Sequence, residues 1–175
     1  MIGRPARDET AEYYFRYIDQ VTAQDILGFL AEQQTEALAL LRQVPEVRSL
    51  YRYAPGKWSI KGVIGHLNDT ERLFAFRALW FARGFDTPLP SFDQLVASEA
   101  AAADSRPWPD LLDEFAAVRS ASLTFYRGLP AAAWERRGIA SGNPFTVRAL
   151  AWLTAGHVIH HLGVLREHYL TDVVG

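Results

Sequence analysis

The chain has 175 residues, of which 49% are hydrophobic, 13% aromatic and 22% charged. This length corresponds to one domain, and the composition is that of a globular protein, which excludes disordered and fibrous classes. The net charge of -2 offers no positive field for nucleic acid. Because cysteine is absent, disulfides, zinc ribbons, cysteine-held iron–sulfur clusters and a protein thiol nucleophile are also excluded.

The N-terminal 20 residues carry charges and tyrosines where a signal peptide would need an apolar run. No stretch approaches the roughly 18 uninterrupted apolar residues of a membrane-spanning helix, and the lack of cysteine fits a reducing compartment. We therefore expect a cytoplasmic protein without a membrane partner. Within a single domain of residues 1–175, residues 1–20 are expected to form an aromatic arm packed on the rest, through Tyr13, Tyr14, Phe15, Tyr17 and Ile18.

Two segments with helical spacing follow this arm. The first covers residues 22–44, where Thr22 and Asp25 resemble a capping box with aspartate in place of glutamate. The second runs to Arg83 after a Pro-Gly turn. Ser59 is placed to cap its first turn, and a glycine directly after its last residue is typical of a left-handed helix end.

The second half of the chain predicts two further helices. The third begins near residues 105–109, where prolines suit a first helical turn, and ends at Gly128. The fourth begins after its expected cap, Thr146, and reaches about Leu170. Between the second and third helices, prolines and an alanine run indicate an ordered crossover with room for one short helix.

Residues 129–144 read as a loop with glycine and asparagine turns, from which Trp134 is expected to fill part of the core. No segment alternates with a period of two for long enough to predict a sheet. Four helices of about 20 to 25 residues and one long crossover predict an all-α protein, a four-helix bundle.

Four of the five histidines lie in the fourth helix. At about 100° per residue, His157 and His161 fall on one apolar stripe with Leu150, Leu153 and Val164. Residues four apart have β-carbons about 5–6 Å from each other. The two imidazoles could therefore bind one ion, each nitrogen about 2.0–2.1 Å from it.

The remaining histidine, His66, lies on one face of the second helix with Thr70 and Arg77. If the second and fourth helices are neighbours, His66 can meet the pair, and three neutral imidazoles make an open site of the catalytic type. From the residues alone, a shared ion and a hydrogen-bond network both remain open as ways to offset the burial of these rings. Val158 stands where the zincin motif H-E-x-x-H needs glutamate, which excludes that protease class.

Three short motifs make the chain similar to a known family. They are Gly56-Lys57-Trp58-Ser59 at a helix entrance, Gly65-His66-Leu67-Asn68-Asp69-Thr70-Glu71-Arg72 within that helix, and Gly156-His157-Val158-Ile159-His160-His161 late in the chain. Over nearly its whole length the chain resembles the DinB/YfiT-like family of metal-dependent hydrolases and thiol transferases. The resemblance implies an up-down-down-up four-helix bundle, commonly dimeric, with a divalent metal on His66, His157 and His161.

Residues beside this triad have two interpretations each. Asp69 could accept the distal N–H of His66 or of a facing histidine, or it could be an ordinary surface acid. His160 could orient a neighbour or a substrate, or be solvated. The Arg77 side chain could hold an anionic substrate group or reach solvent. Glu71 and Arg72 are expected to make solvated contacts on the helix face.

The fourth helix is apolar on the side away from His157 as well, through Ala151, Trp152, Ala155, Ile159 and Leu162. A helix that is apolar on both sides is central in a bundle or covered by a partner. A homodimer is therefore a reasonable expectation.

The leading functional hypothesis is a metal-dependent hydrolase or low-molecular-weight-thiol S-transferase that acts on an unidentified small molecule. The reactive group would be metal-bound water or thiolate. All-imidazole ligation favours zinc or nickel, and a low-molecular-weight thiol could be a co-substrate. The alternative is a non-catalytic, stress-associated metal-binding bundle. A site open to a cavity lined by Phe74, Arg77 or Trp80 would favour the enzyme, whereas a closed four-ligand site with His160 would favour the alternative.

Overall fold

The computed structural model describes residues 1–171, so the last four residues of the predicted domain lie outside the described residues. Within that range the chain forms seven α-helices, three single turns of 3-10 helix and one β-hairpin. The elements are α1 Glu12–Ile18, α2 Ile26–Leu41, α3 Glu46–Ser49, α4 Ile60–Ala82, α5 Gln94–Ala101, α6 Trp108–Arg127, β1 Arg137–Ala140, β2 Asn143–Thr146 and α7 Val147–His168.

The four long helices α2, α4, α6 and α7 form the predicted bundle. Helix α4 packs between α6 and α7, and α2 packs against the same two helices from the other side. None of the helices within residues 1–171 combines the length and the apolar composition needed to cross a membrane.

Side-chain contacts between the helices give their directions. Helices α2 and α6 are antiparallel, because Trp108 at the start of α6 donates to the Leu41 carbonyl at the end of α2, while Arg119 reaches back to Leu30. Helices α4 and α6 are parallel, since Asn68 donates to the Leu111 carbonyl and Glu71, further along α4, pairs with Arg119.

Helices α4 and α7 are antiparallel. His66 contacts His161, whereas Phe74, two turns later in α4, contacts His157, one turn earlier in α7. Together with the other pairs, this orientation gives the up-down-down-up order. The predicted fold class, an all-α four-helix bundle with a long crossover between its second and third helices, is confirmed.

Hydrogen bonds from side chains fix where the bundle helices begin. The Ser59 hydroxyl accepts from the Gly62 amide at 2.8 Å, and Thr146 accepts from the Ala149 amide at 2.9 Å, as predicted. The predicted start of the first helix at residue 22 is wrong. Asp25, with extended backbone, is the cap of α2 and accepts from the Gly28 amide at 3.1 Å.

The predicted absence of strands is also wrong. Strands β1 and β2 pair antiparallel from Arg137 opposite Thr146 to Ala140 opposite Asn143. The two residues between them, Ser141 and Gly142, have φ of 52° and 73°, which is the geometry of tight hairpin turns. Because each strand has only four residues, the alternation of side chains repeats too few times to be recognised in the sequence.

Helix α7 occupies the centre of the protomer. Ala151, Trp152 and Ala155, on its side away from His157, are fully buried by the chain itself. The apolar face that suggested a partner is therefore covered within one protomer. The homodimer stays a prediction that this face no longer supports.

The N-terminal helix α1 lies against α7 at Gly156. A β-carbon added there would lie 2.2 Å from the Tyr17 carbonyl oxygen, so only glycine permits this approach. The contact fixes α1, with its tyrosines, beside the middle of α7.

Replacing Gly156 with alanine is expected to lower the free energy of unfolding by about 3 kcal/mol, since the added methyl meets backbone that cannot move without displacing α1. Gly163→Ala is the matched control on the same helix. Nothing lies within 4 Å of a β-carbon at Gly163, so alanine should raise the free energy of unfolding by about 0.5–1 kcal/mol. Denaturant unfolding of both variants measures the difference, and equal effects at the two glycines would contradict this account.

Candidate metal centre

The antiparallel packing of α4 and α7 brings three histidines together. His66 Nε2 lies 3.2 Å from His157 Nε2, and His161 Nε2 lies 3.1 Å from the same atom. The candidate donor atoms of the three residues all lie within 4.8 Å of one another. His157 is thus the central member of the cluster.

The spacing of these nitrogens fits a divalent cation. Two imidazole nitrogens bound tetrahedrally at about 2.0–2.1 Å from one ion are about 3.3–3.4 Å apart. The separations of 3.1 and 3.2 Å around His157 are close to this value. Within residues 1–171, this is the group of three histidine or acidic side chains with metal-binding spacing.

Burial keeps the three rings in the form that binds metal. It lowers the pKa of His66 to about 4. Burial, followed by repulsion from His66 and His160, lowers the pKa of His161 to about 3. Burial and the three neighbouring histidines lower the pKa of His157 well below its ordinary value. All three imidazoles are therefore neutral at pH 7, with nitrogen lone pairs available to a cation.

The orientation of His66 depends on Thr70, one turn later in α4. The Thr70 hydroxyl lies 3.3 Å from His66 Nδ1. If Nδ1 carries the proton and donates it to Thr70, the Nε2 lone pair is free to bind metal. Asp69 was a candidate for this part, but its carboxylate lies 3.7 Å from Arg72 on a partly exposed face. The sequence places Thr70 on the same face of α4 as His66, but this contact was not predicted.

Aromatic rings enclose the cluster. The Trp58 ring lies 4.9 Å from that of His66, between centroids. The rings of Tyr17 and Phe74 contact His157 edge to face at 5.6 and 5.8 Å. The sequence places Trp58 at a helix entrance, and its contact with a site residue was missed.

A cavity of about 500 Å³ opens beside the histidines, and His66 and His157 form part of its wall. Its lining also includes Phe74 and Arg77, two of the three residues expected at such a cavity. Trp80 is elsewhere, stacked on Phe85 at 4.3 Å between centroids, with its indole N–H donated to the Thr87 carbonyl. Sequence reasoning missed the contribution of α1, which supplies Tyr13, Tyr14 and Tyr17 to the wall.

His160 lies beside the cluster and outside it. Its ring packs edge to face on Tyr17 at 5.3 Å and on His161 at 5.1 Å between centroids. Burial, followed by the charge of Arg16, lowers its pKa. His160 therefore supports the wall formed by α1.

The expectation that Glu71 makes a solvated contact is wrong. Glu71 is 4% exposed and receives two hydrogen bonds from Arg119, which is fully buried, at 2.8 and 2.9 Å. Arg119 also donates to the Leu30 carbonyl and to Gln33. This ion pair connects α4, α6 and α2 in the core, whereas Arg72 is half exposed as expected and pairs with Glu114.

Comparison with known proteins places this arrangement in a family. A solved structure with the same fold is YfiT from Bacillus subtilis, described as a probable metal-dependent hydrolase with an unusual four-helix bundle topology. It shares 16% sequence identity with this chain, and the match covers 96% of this chain and 92% of YfiT with a TM-score of 0.70. No curated protein matches the sequence. The model of the DinB superfamily matches residues 30–165, a range that holds all three clustered histidines, and the chain belongs to that superfamily.

Proposed function

We propose that this protein is a divalent-metal-dependent enzyme that acts on a small molecule in the cavity beside His66, His157 and His161. The observation that carries the proposal is the convergence of three imidazoles, two of which, those of His66 and His157, form part of the wall of that cavity. The description of YfiT as a probable metal-dependent hydrolase supports the same reaction class.

The three histidines would hold the ion through nitrogen, a donor set that favours zinc or nickel. When bound, such a cation acts as a Lewis acid that lowers the pKa of water toward neutrality or stabilises a thiolate. Hydrolysis and transfer of a low-molecular-weight thiol are therefore the two candidate reactions. In both, Thr70 would fix the orientation of His66, and the rings of Trp58 and Phe74 would exclude bulk water from the histidines.

The alternative, a non-catalytic metal-binding bundle, needs a closed ion site. Two observations favour the enzyme. His160, the candidate fourth ligand, packs on Tyr17 beside the cluster, and the cavity of about 500 Å³ has the size of a small-molecule site. A cytoplasmic location and a homodimer belong to the same proposal as expectations.

Metal analysis of untagged protein tests the proposal. Protein dialysed with zinc or nickel and then freed of excess ion should retain about one equivalent per chain. The loaded and the chelator-treated protein are then compared in two screens, hydrolysis of ester and amide substrates and conjugation of small thiols to electrophilic acceptors. Turnover only in the loaded protein is expected. Metal far below one equivalent would overturn the proposal, and a bound metal without turnover in either screen would favour the non-catalytic bundle.

A further inference from the structure

Arg77 is a buried cation in the wall of the cavity. Its side chain lies on α4, and the residue is 4% exposed. Its Nη2 donates to the Pro90 carbonyl at 3.2 Å and to the Ser141 hydroxyl at 2.8 Å. Its Nε is buried and has no hydrogen-bond partner within residues 1–171. The guanidinium is therefore held in place by neutral oxygens and retains unused donors.

In the part of the chain that the structure describes, the charge of Arg77 has no acidic partner. None of the ion pairs within residues 1–171 includes Arg77, in contrast to the equally buried Arg119 with Glu71. Burial lowers the pKa of Arg77, and the phenol of Tyr14 offsets part of this effect. Arginine stays protonated even so. A buried, unpaired charge is costly unless something compensates it.

An acidic residue, Asp93, also lines the cavity, but its carboxylate has another function. Asp93 is the N-cap of α5, and its Oδ1 accepts hydrogen bonds from the Leu95 and Val96 amides at 2.9 and 3.2 Å. Asp93 forms no ion pair with Arg77, so within residues 1–171 no carboxylate contacts the Arg77 guanidinium directly.

Arg77 and His66 line the same cavity from helix α4. His66 and Arg77 are 11 residues apart in α4, which corresponds to about 16 Å between their α-carbons. Helical side chains lean toward the helix N-terminus, and because both residues lean the same way, the spacing of their α-carbons also approximates the spacing of the guanidinium and the imidazole. Leu73 and Phe74 line the wall between the two ends.

We propose that Arg77 binds an anionic group of the substrate while the reactive end of the same molecule lies at His66, His157 and His161. This inference rests on the proposed function and narrows its substrate class. The substrate is a small, elongated acid whose carboxylate, phosphate or sulfonate is at most roughly 16 Å from the reacting atom. The Tyr14 phenol lines the same cavity and would be a second donor to the anion.

The test uses protein loaded with cobalt(II) and probes with a thiol at one end. Mercaptoalkanoates of increasing chain length are compared with mercaptoalcohols of equal length, and thiolate binding is followed by the sulfur-to-cobalt absorption band. The carboxylate probe of best length should bind at least about tenfold more tightly than its alcohol, because it adds a charged hydrogen bond. Mercaptoalkyl sulfonates form a second arm that shows whether planar or tetrahedral anions are preferred.

Variants connect the preference to the residue. Arg77→Met should remove the preference for the acid, Arg77→Lys should retain part of it, and the exposed control Arg83→Met should leave it unchanged. Circular dichroism verifies that each variant is folded. If Arg77→Met is unfolded, the acid-over-alcohol ratio in the natural protein still decides, and a ratio near one overturns the inference.

Calorimetric titration of the same probes into metal-free protein separates this inference from the proposed function. Failure to take up cobalt contradicts the metal-dependent enzyme, while an acid preference that Arg77→Met removes in the metal-free protein still supports the anion site. Cobalt and thiol binding without any acid preference would overturn the anion site and leave the metal-dependent enzyme standing.

Discussion

His157→Ala is expected to abolish binding of the divalent cation. Its Nε2 lies within 3.2 Å of the Nε2 atoms of both other histidines. Without it, the ion keeps only two of its three nitrogen ligands. Affinity for zinc or nickel should fall by well over the roughly 10–100-fold that removal of an outer hydrogen-bond partner costs. Competition with a chromophoric chelator measures the affinity.

His168→Ala is the matched control for this variant. His168 ends the same helix, but its ring stacks on Tyr53 at 4.9 Å between centroids, away from the cluster. The His168→Ala variant should still bind the metal. Bound metal should raise its free energy of unfolding by about 2.7 kcal/mol when the free metal concentration is one hundred times Kd. If His157→Ala binds zinc as tightly as His168→Ala, the three histidines do not form the site.

Arg119→Met should produce the largest loss of stability, about 3–5 kcal/mol in the free energy of unfolding. The substitution leaves the Glu71 carboxylate in the core without the two hydrogen bonds that Arg119 donates to it. It also removes the donors to the Leu30 carbonyl and to Gln33, which tie α6 to α2. Urea unfolding followed by circular dichroism provides the measurement.

A double-mutant cycle separates the unpaired charge from the lost packing. Adding Glu71→Leu to Arg119→Met should restore a large part of the stability, since the buried carboxylate is gone as well. The exposed pair of Arg137 with Asp8, at 3.0 Å, is the comparison, and Arg137→Met should cost at most about 1 kcal/mol. Additive effects of the two core substitutions would show that no such coupling exists.

The helical bundle was predictable because its signals are local. Each signal depends on residues of a single helix. Ser59 caps α4, Thr146 caps α7, and the apolar stripe through His157 and His161 lies on α7. Spacing put His157 and His161 on one face of α7. His66 could join them only if the second and fourth helices were neighbours, which the resemblance implied, and the structure brings the three together. Whether they bind metal is tested by the variants above.

The parts that sequence reasoning missed depend on which helices are neighbours. Glu71 lies on a charged stretch of α4 and looks solvated, yet α6 places Arg119 against it in the core. Thr70 and Asp69 are adjacent in sequence, and only the packing of α4 decides that the hydroxyl and not the carboxylate faces His66. The β-hairpin was not predicted because its strands are too short to show an alternating pattern.

Helix α1 adds a separate layer to this construction. It lies outside the family match of residues 30–165, carries no clustered histidine, and still brings Tyr14 and Tyr17 to the cavity wall. Under the proposed function, substrate preference would diverge, or could be re-engineered, by exchange of the N-terminal segment, while α4 and α7 would keep the three histidines. Chimeras with other superfamily members would then combine the selectivity of one parent with the metal site of the other, provided that glycine stays at position 156, where α1 lies against α7.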